Sequence, residues 1–324
     1  MTAFGRPATS WRTTREMLSI DDVLSSVRPY LRDVASLSDP LTQARWDEKR
    51  RTVLRWTLRL LATQLLTLRR ERSPGFTKRL YSGSYETQTV EQFDIDLERP
   101  GRANLFKLGD ERLVSLPPNG LFAAYLATPG AVIEHLKPAT VAEVGFGSGK
   151  NLMYLAARFP DVTFCGWELT SSGVKLARSI QRRDTLPANL ARLVGRNDRT
   201  AVEAIRRIGL HEGDARSLPA PDKSVDLTFT VLALEQMWPI LPVVLPEIRR
   251  ITRSHVVFLE AFREVNDWLG YLNLWARNYF RARVRTMEAA GFRPLMLLRN
   301  LPNKQTFATA VFVGEVGARP GSAP

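Results

Sequence analysis

Apolar positions along this chain recur with two different periods, and the change from one to the other divides it. Leu54, Leu58, Leu61, Leu65 and Leu68 fall on one helical face. They predict a long helix that ends near Ser73, Pro74 and Gly75. Ile20 to Val34 reads as a short amphipathic helix, capped by Ser19 or Asp21 and interrupted at Pro29. Tyr81 to Leu97 is aromatic and acidic with little helical period, so a loop is expected there. Pro100 and Gly101 mark a turn, and a helix is expected after Asn119, running to about Ala127. Beyond residue 140, short apolar runs alternate with helical stretches: VAEV, VTFCGW, LHEG, SVDLTFTV, HVVFLEAF, FRPLMLL and TFATAVFVGEV. Strands alternating with helices predict an α/β fold with a parallel sheet.

The run Val141 to Asn151 reads as strand, tight glycine turn and helix, with Gly145, Gly147 and Gly149 at alternate positions. Glycine permits positive φ there and lets a ligand approach where no Cβ intrudes. The dinucleotide spacing GxGxxG fails because position 150 is lysine. Glu168 stands at the end of the second strand, 19 residues beyond Gly149. A carboxylate so placed can accept from two hydroxyls at once.

The pattern E-x-G-x-G-x-G from Glu143 to Gly149, followed in order by Glu168, by GDARSLP at Gly213 and by SVDLTF at Ser224, resembles the class I S-adenosylmethionine-dependent methyltransferases. The resemblance covers about Leu121 to Val316 and is nearest to the metabolite-modifying branch. It implies a Rossmann-like seven-stranded, mostly parallel sheet with strand seven antiparallel, preceded by a helical N-terminal extension. It also implies S-adenosylmethionine as cofactor: Glu143, Gly145, Gly147 and Gly149 toward its methionyl part, Glu168 on the ribose, Asp214 with the Ala215 amide on the adenine. The chain departs from the family in the forty or so residues between Glu168 and the next strand. It departs again at VLALEQMWP, where Gln236 stands in place of a histidine common in the small-molecule branch. No base is obvious, so the candidates for proton transfer are Glu260, Asp267 and Glu235. Tyr81, Tyr85, Gln236 and Trp268 are candidates for lining the substrate site.

The apolar content is 44% over 324 residues, without a run of about 18 apolar residues, so no membrane span is expected. One cysteine, Cys165, suits a reducing cytoplasm. His135, His211 and His255 are scattered and fit no metal site, so no metal is expected. Arg6, Arg12 and Arg15 superficially suit a transit peptide; a frayed terminus is the plainer reading. Net charge is +13, and residues 45–79 hold 11 bases against 3 acids, giving +8 there. That stretch suits nucleic acid phosphates, an anionic membrane surface or an anionic substrate, and equally a solvated helix face.

The domain reading is an Arg-rich helical extension and active-site cover over 1–100, a cofactor-binding methyltransferase domain over 101–318, and a disordered tail over 319–324. The functional reading is methyl transfer to an oxygen or nitrogen of a small or medium metabolite, such as a sugar or an anionic or lipid-linked intermediate. Two alternatives stay open: an RNA or protein methyltransferase using the basic helix, and a non-catalytic cofactor-binding partner subunit.

Overall fold

The computed structural model describes residues 18–67, 74–88, 95–98, 103–109 and 111–317. The basic leader and the tail expected at 319–324 lie outside them. Ser19 opens α1 (Ile20–Leu24) with a capping box: its hydroxyl accepts from Asp22 N, and the Asp22 carboxylate accepts from Ser19 N at 2.7 Å. The helix expected as far as Val34 stops at Leu24. Pro29 instead joins a 3₁₀ turn at Arg28–Tyr30, and Arg32–Ser36 is strand β1. Tertiary pairing overrides the local pattern here. After α2 (Pro40–Thr67) and α3 (Pro74–Glu86) come β2 (Asn104–Leu108) and β3 (Arg112–Leu116), and β3 pairs antiparallel with both β1 and β2. This small sheet crosses the boundary expected at residue 100.

Two further expectations change. Tyr81 and Tyr85 lie on helix α3 rather than on a loop. The docked face of α2 is also not the one its leucines suggested: Trp46 and Thr57 are buried while Leu58 and Leu65 are exposed. Polar pairing sets this choice. Thr57 Oγ1 accepts from Asn273 Nδ2 at 2.8 Å, Gln64 Nε2 donates to Ala276 O at 2.7 Å, and Arg50 pairs with Asp267 at 2.5 Å. Buried donors and acceptors are costly to leave unmade, so they fix the rotation of the helix.

The remainder is built on one seven-stranded sheet. Helix α4 (Gly120–Leu136) is apolar on nearly every side and almost wholly buried, which carries it past Pro129 and beyond the expected end at Ala127. It leads into β4 (Thr140–Val144), α5 (Lys150–Arg158) and β5 (Thr163–Glu168). The long insertion then forms α6 (Ser171–Gln181), α7 (Ala188–Val194) and α8 (Arg199–Arg206), with Leu190, Ala201, Ala204 and Ile205 in the core. β6 (Gly209–Glu212), β7 (Val225–Val231), α9 (Leu241–Ile251), β8 (Thr252–Glu260), α10 (Trp268–Ala276), α11 (Val284–Ala289), β9 (Phe292–Leu298) and β10 (Ala310–Val316) complete the chain. The strand order is β6-β5-β4-β7-β8-β10-β9, with β10 antiparallel to both its neighbours. On one side of this sheet Phe258, Phe262, Phe280, Phe292 and Phe312 pack ring to ring at 5.2–6.0 Å between centroids. The order reverses between β4 and β7, and ligands of open α/β sheets bind at such a switch point, beyond the carboxyl ends of the strands.

The opposite ends of β4 and β7 are tied by Asp226. Its Oδ2 accepts from Ala139 N (3.1 Å), Thr140 N (2.9 Å) and Thr140 Oγ1 (3.0 Å), while Arg253 pairs with the other oxygen. Asp226→Ala leaves two backbone donors without an acceptor and is expected to cost about 2 kcal/mol of stability. An unchanged urea midpoint would contradict this role.

Candidate active site

The turn after β4 runs through Gly145, Gly147 and Gly149, at φ of +79°, +58° and +81°. All three are left-handed, and each is crowded differently. A Cβ on Gly145 would meet Ala233 Cβ at 2.7 Å, one on Gly147 would meet Tyr85 Oη at 2.5 Å, and one on Gly149 would meet Ala177 Cβ at 3.0 Å. The outer glycines therefore let the turn pack on the end of β7 and on α6. The middle one faces a cavity of about 320 Å³ at the switch point, within the size range of small-ligand sites. Its walls include Tyr81, Tyr85, Asn151, Trp167, Glu168, Asp214, Ala215 and Gln236.

Glu168 is buried and held by three donors. Oε2 accepts from Gly147 N at 3.0 Å, and Oε1 accepts from Thr170 N at 2.9 Å and Thr170 Oγ1 at 2.7 Å. A carboxylate has about four acceptor sites, so this clamp still leaves room to accept from a ligand. Asp214 is gripped by Arg216 through Nε (3.1 Å) and Nη2 (2.7 Å), which holds its carboxyl below the usual range. Tyr85 leans over Gly147, and its burial above all pushes the phenol up, keeping it a neutral hydroxyl.

Glu143 does not itself reach the cavity. It is fully buried; Oε1 accepts from Asn151 Nδ2, Oε2 has no hydrogen-bond partner among the described residues, and burial raises the carboxyl to about 8. Its influence passes through Asn151, a wall residue that the sequence reading did not single out. Asn151 is one of four wall residues with a buried polar atom lacking a hydrogen-bond partner among the described residues: Thr77 Oγ1, Gln88 Oε1, Asn151 Oδ1 and Trp167 Nε1. Native structures leave few such atoms, and four around one cavity fit a polar ligand. For Asn151 and Trp167 the signal was adjacency, since they follow the glycine turn and precede Glu168.

The carboxylates nominated for proton transfer lie elsewhere. Glu260 is fully buried beneath the segment after β7, where Oε1 accepts from Thr230 Oγ1 (3.0 Å), Ala233 N (3.0 Å) and Leu234 N (2.9 Å), and Oε2 from Glu235 N (3.1 Å). Burial, followed by the neighbouring Glu235 carboxylate, raises it to about 8. With four donors already satisfied it positions Ala233 to Gln236 and is not a wall residue. Asp267 caps α10, accepting from Gly270 N at 2.9 Å, and pairs with Arg50. Glu235 accepts from Gln236 Nε2 at 2.7 Å and presents Gln236, not itself, to the cavity. Trp268 is 63% exposed and off the wall. Beside the end of β7 the cavity is bounded by Phe122, Leu232, Ala233, Gln236, Met237 and Ile240, with no carboxylate or imidazole among them, and Lys150, also on the wall, sets its Nζ 5.4 Å from the centroid of the Phe122 ring.

Glu260→Gln turns one accepting oxygen into an N–H₂ facing a donor, so a loss of about 2 kcal/mol is expected in urea denaturation. Wild-type stability in that variant would contradict the positioning role.

Residues 142–259 match the family model described as a methyltransferase domain. The chain is similar to the fatty-acid O-methyltransferase of Mycolicibacterium smegmatis, 30% identical over 119 residues that cover 37% of this chain and 35% of that protein. It is also similar to the tRNA (guanine-N(7)-)-methyltransferase of Roseobacter denitrificans, 30% identical over 169 residues, 51% of this chain and 57% of that one. The chain thus spans about a third to just over half the length of these curated relatives. Among solved structures, the [4+2]-cyclase SpnF aligns with a TM-score of 0.46 at 15% identity, over 75% of this chain and 95% of that one. The matched residues hold the glycine turn, Glu168, Asp214 and the parallel strands from β4 to β8, and over this stretch the chain carries a methyltransferase domain.

Proposed function

We propose that this chain methylates an anionic metabolite with an apolar body, and that the methylated atom is a carboxylate oxygen. The observation that supports this reading is the wall beside β7, where Phe122, Leu232, Ala233, Met237 and Ile240 are apolar and no carboxylate or imidazole stands among them. A carboxylate is already ionised at neutral pH and needs no proton removed.

The cavity's polar residues suit the cofactor. Glu168 has acceptor capacity for the ribose hydroxyls, Asp214 and the Ala215 amide for the adenine edge, and Asn151 Oδ1 for the methionyl ammonium. Bound there, S-adenosylmethionine supplies a methyl group on a positively charged sulfur that departs as a neutral thioether. The chain's own part is alignment and exclusion of water. Tyr81 and Tyr85 close the side formed by α3, while Phe122, Leu232 and Met237 present apolar surface to the acceptor.

Phe122 and Leu232 also border a second cavity of about 570 Å³, whose walls include Leu105, Phe106, Leu121 and Tyr125. Leu232 adopts φ of +53°, a strained conformation for a leucine, at the junction of the two. Lys49 and Lys304 flank this second cavity, and both are exposed. Paired backbone bonds between Lys107 and Asn303 (2.9 and 2.8 Å) tie the segment holding Lys304 to β2. These cations would draw an anionic acceptor toward an apolar passage. The similarity to a fatty-acid O-methyltransferase agrees with such an acceptor.

A second reading, methylation of RNA, has in its favour the exposed Arg51, Arg55 and Arg59 of α2 and the similarity to a tRNA methyltransferase. Labelled S-adenosylmethionine with decanoate, decanol and tRNA as acceptors separates the readings. Label in the decanoate ester is expected, at a rate that stays flat from about pH 6 to 9 because the carboxylate is already ionised. A rate climbing through that range, or label only in tRNA, would contradict the proposal. No turnover with any acceptor, despite cofactor binding, would favour a non-catalytic subunit.

Cofactor binding has its own check. Glu168→Ala and Gly147→Ala, the latter forcing a Cβ against Tyr85 at positive φ, are each expected to weaken S-adenosylhomocysteine binding by about tenfold or more in calorimetric titration. Unaltered affinity in both variants would overturn the assignment of the cavity.

A further inference from the structure

Lys150 is the first residue of α5 and, among the described residues, the one cation on the walls of the cavity at the switch point. It is partly buried, and its Nζ lies 5.4 Å from the centroid of the Phe122 ring on α4. A lysine ordinarily carries its charged end out to water. Here the ammonium is set against an aromatic ring on a cavity wall, and cation–π attraction holds it there.

Two features place this charge on the acceptor's side of the cavity. Successive helix positions point about 100° apart, so Lys150 and Asn151 serve different neighbours. Asn151 reaches back to the buried Glu143, while Lys150 reaches Phe122. Phe122 in turn borders both cavities, as Leu232 does. The ammonium therefore stands near the junction that an acceptor coming from the second cavity would pass. Lys49 and Lys304 flank the outer cavity and Lys150 the inner one, so an anion meets cations at both stages of its path. An ammonium has three donors, so a partner on the protein and a ligand oxygen can share it.

We propose that Lys150 binds the acceptor's carboxylate, an assignment that rests on the carboxylate reading of the acceptor: one oxygen accepts from Nζ while the other faces the sulfonium methyl. A lone pair of that second oxygen forms the bond to the methyl carbon, and the electron pair of the breaking bond stays with sulfur. A neutral ester and a neutral thioether result, and no proton moves. Lys150 keeps its charge throughout, so it orients and selects without acting as acid or base. An alcohol of the same length offers no charge to the ammonium and is bound less well. The ester has lost that charge too, which favours its release.

Calorimetric titration of decanoate and of decanol into the full chain saturated with S-adenosylhomocysteine tests this without turnover. The wild-type chain is expected to bind decanoate about tenfold or more tighter than decanol. Lys150→Met is expected to weaken decanoate by about tenfold or more and to leave decanol, S-adenosylhomocysteine affinity and circular dichroism unchanged. Lys150→Gln repeats the test with a polar side chain, and Lys150→Arg, which keeps the charge, is expected to retain most of the preference. In turnover, Lys150→Met raises KM for decanoate far more than it lowers kcat. Unchanged decanoate affinity in the Met and Gln variants would overturn the role of Lys150 and leave the carboxylate acceptor standing. Equal loss of decanoate and decanol would reduce Lys150 to packing on Phe122 and overturn it as well. A wild-type chain without preference for decanoate would overturn both readings. Weaker S-adenosylhomocysteine binding in Lys150→Met, with 5′-methylthioadenosine bound as before, would give Lys150 to the cofactor's own carboxylate and overturn the proposal.

Discussion

The hydrogen bond from Gly147 N to Glu168 Oε2 holds the turn after β4 against the end of β5. Much of the site's geometry depends on that tie. It requires positive φ at Gly147 and a buried carboxylate directly after the strand, and it leaves the same carboxylate with acceptor capacity toward the cavity. The parallel pairing of β4 with both β5 and β7 supplies the frame, because it brings the turn, Glu168 and the segment after β7 to one edge of the sheet. Asp226 secures the far end of the same strands.

Three buried glutamates near this edge show how neighbours assign roles to one side chain type. Glu168 receives three donors and faces the cavity. Glu260 receives four and is consumed in shaping the segment that carries Gln236. Glu143 receives one, and with an oxygen unpartnered in a dry setting it is pushed to about 8. Only Glu168 can meet a ligand directly. The apolar wall beside β7 follows from the same arrangement, since Glu260 is turned inward to satisfy backbone donors and Glu235 accepts from the Gln236 side chain.

The parallel core was legible because its signals are local. Alternating strand and helix periods, three glycines and acids at strand ends each report one element. The gathering of Gly147, Glu168 and Asp214 around one cavity was therefore legible. What escaped the sequence depends on contacts between distant residues. β1 is a strand because β3 offers an edge some eighty residues later, and the rotation of α2 is set by Asn273 and Ala276, more than two hundred residues away. Glu260 stands at a strand end, as a reacting carboxylate would. Nothing in its local pattern reveals that Ala233, Leu234 and Glu235 turn their amides toward it. Thr77, Gln88, Asn151 and Trp167 were passed over for a similar reason, because an unpartnered buried atom is visible only once the surroundings are known.

The most direct measurement is a crystal structure of the chain with S-adenosylhomocysteine bound. The ribose hydroxyls are expected on Glu168, the adenine edge on Asp214 and the Ala215 amide, and the sulfur facing the apolar wall of Leu232 and Gln236. A ligand seated away from Glu168, or one whose sulfur points away from that wall, would contradict the assignment of this cavity to methyl transfer.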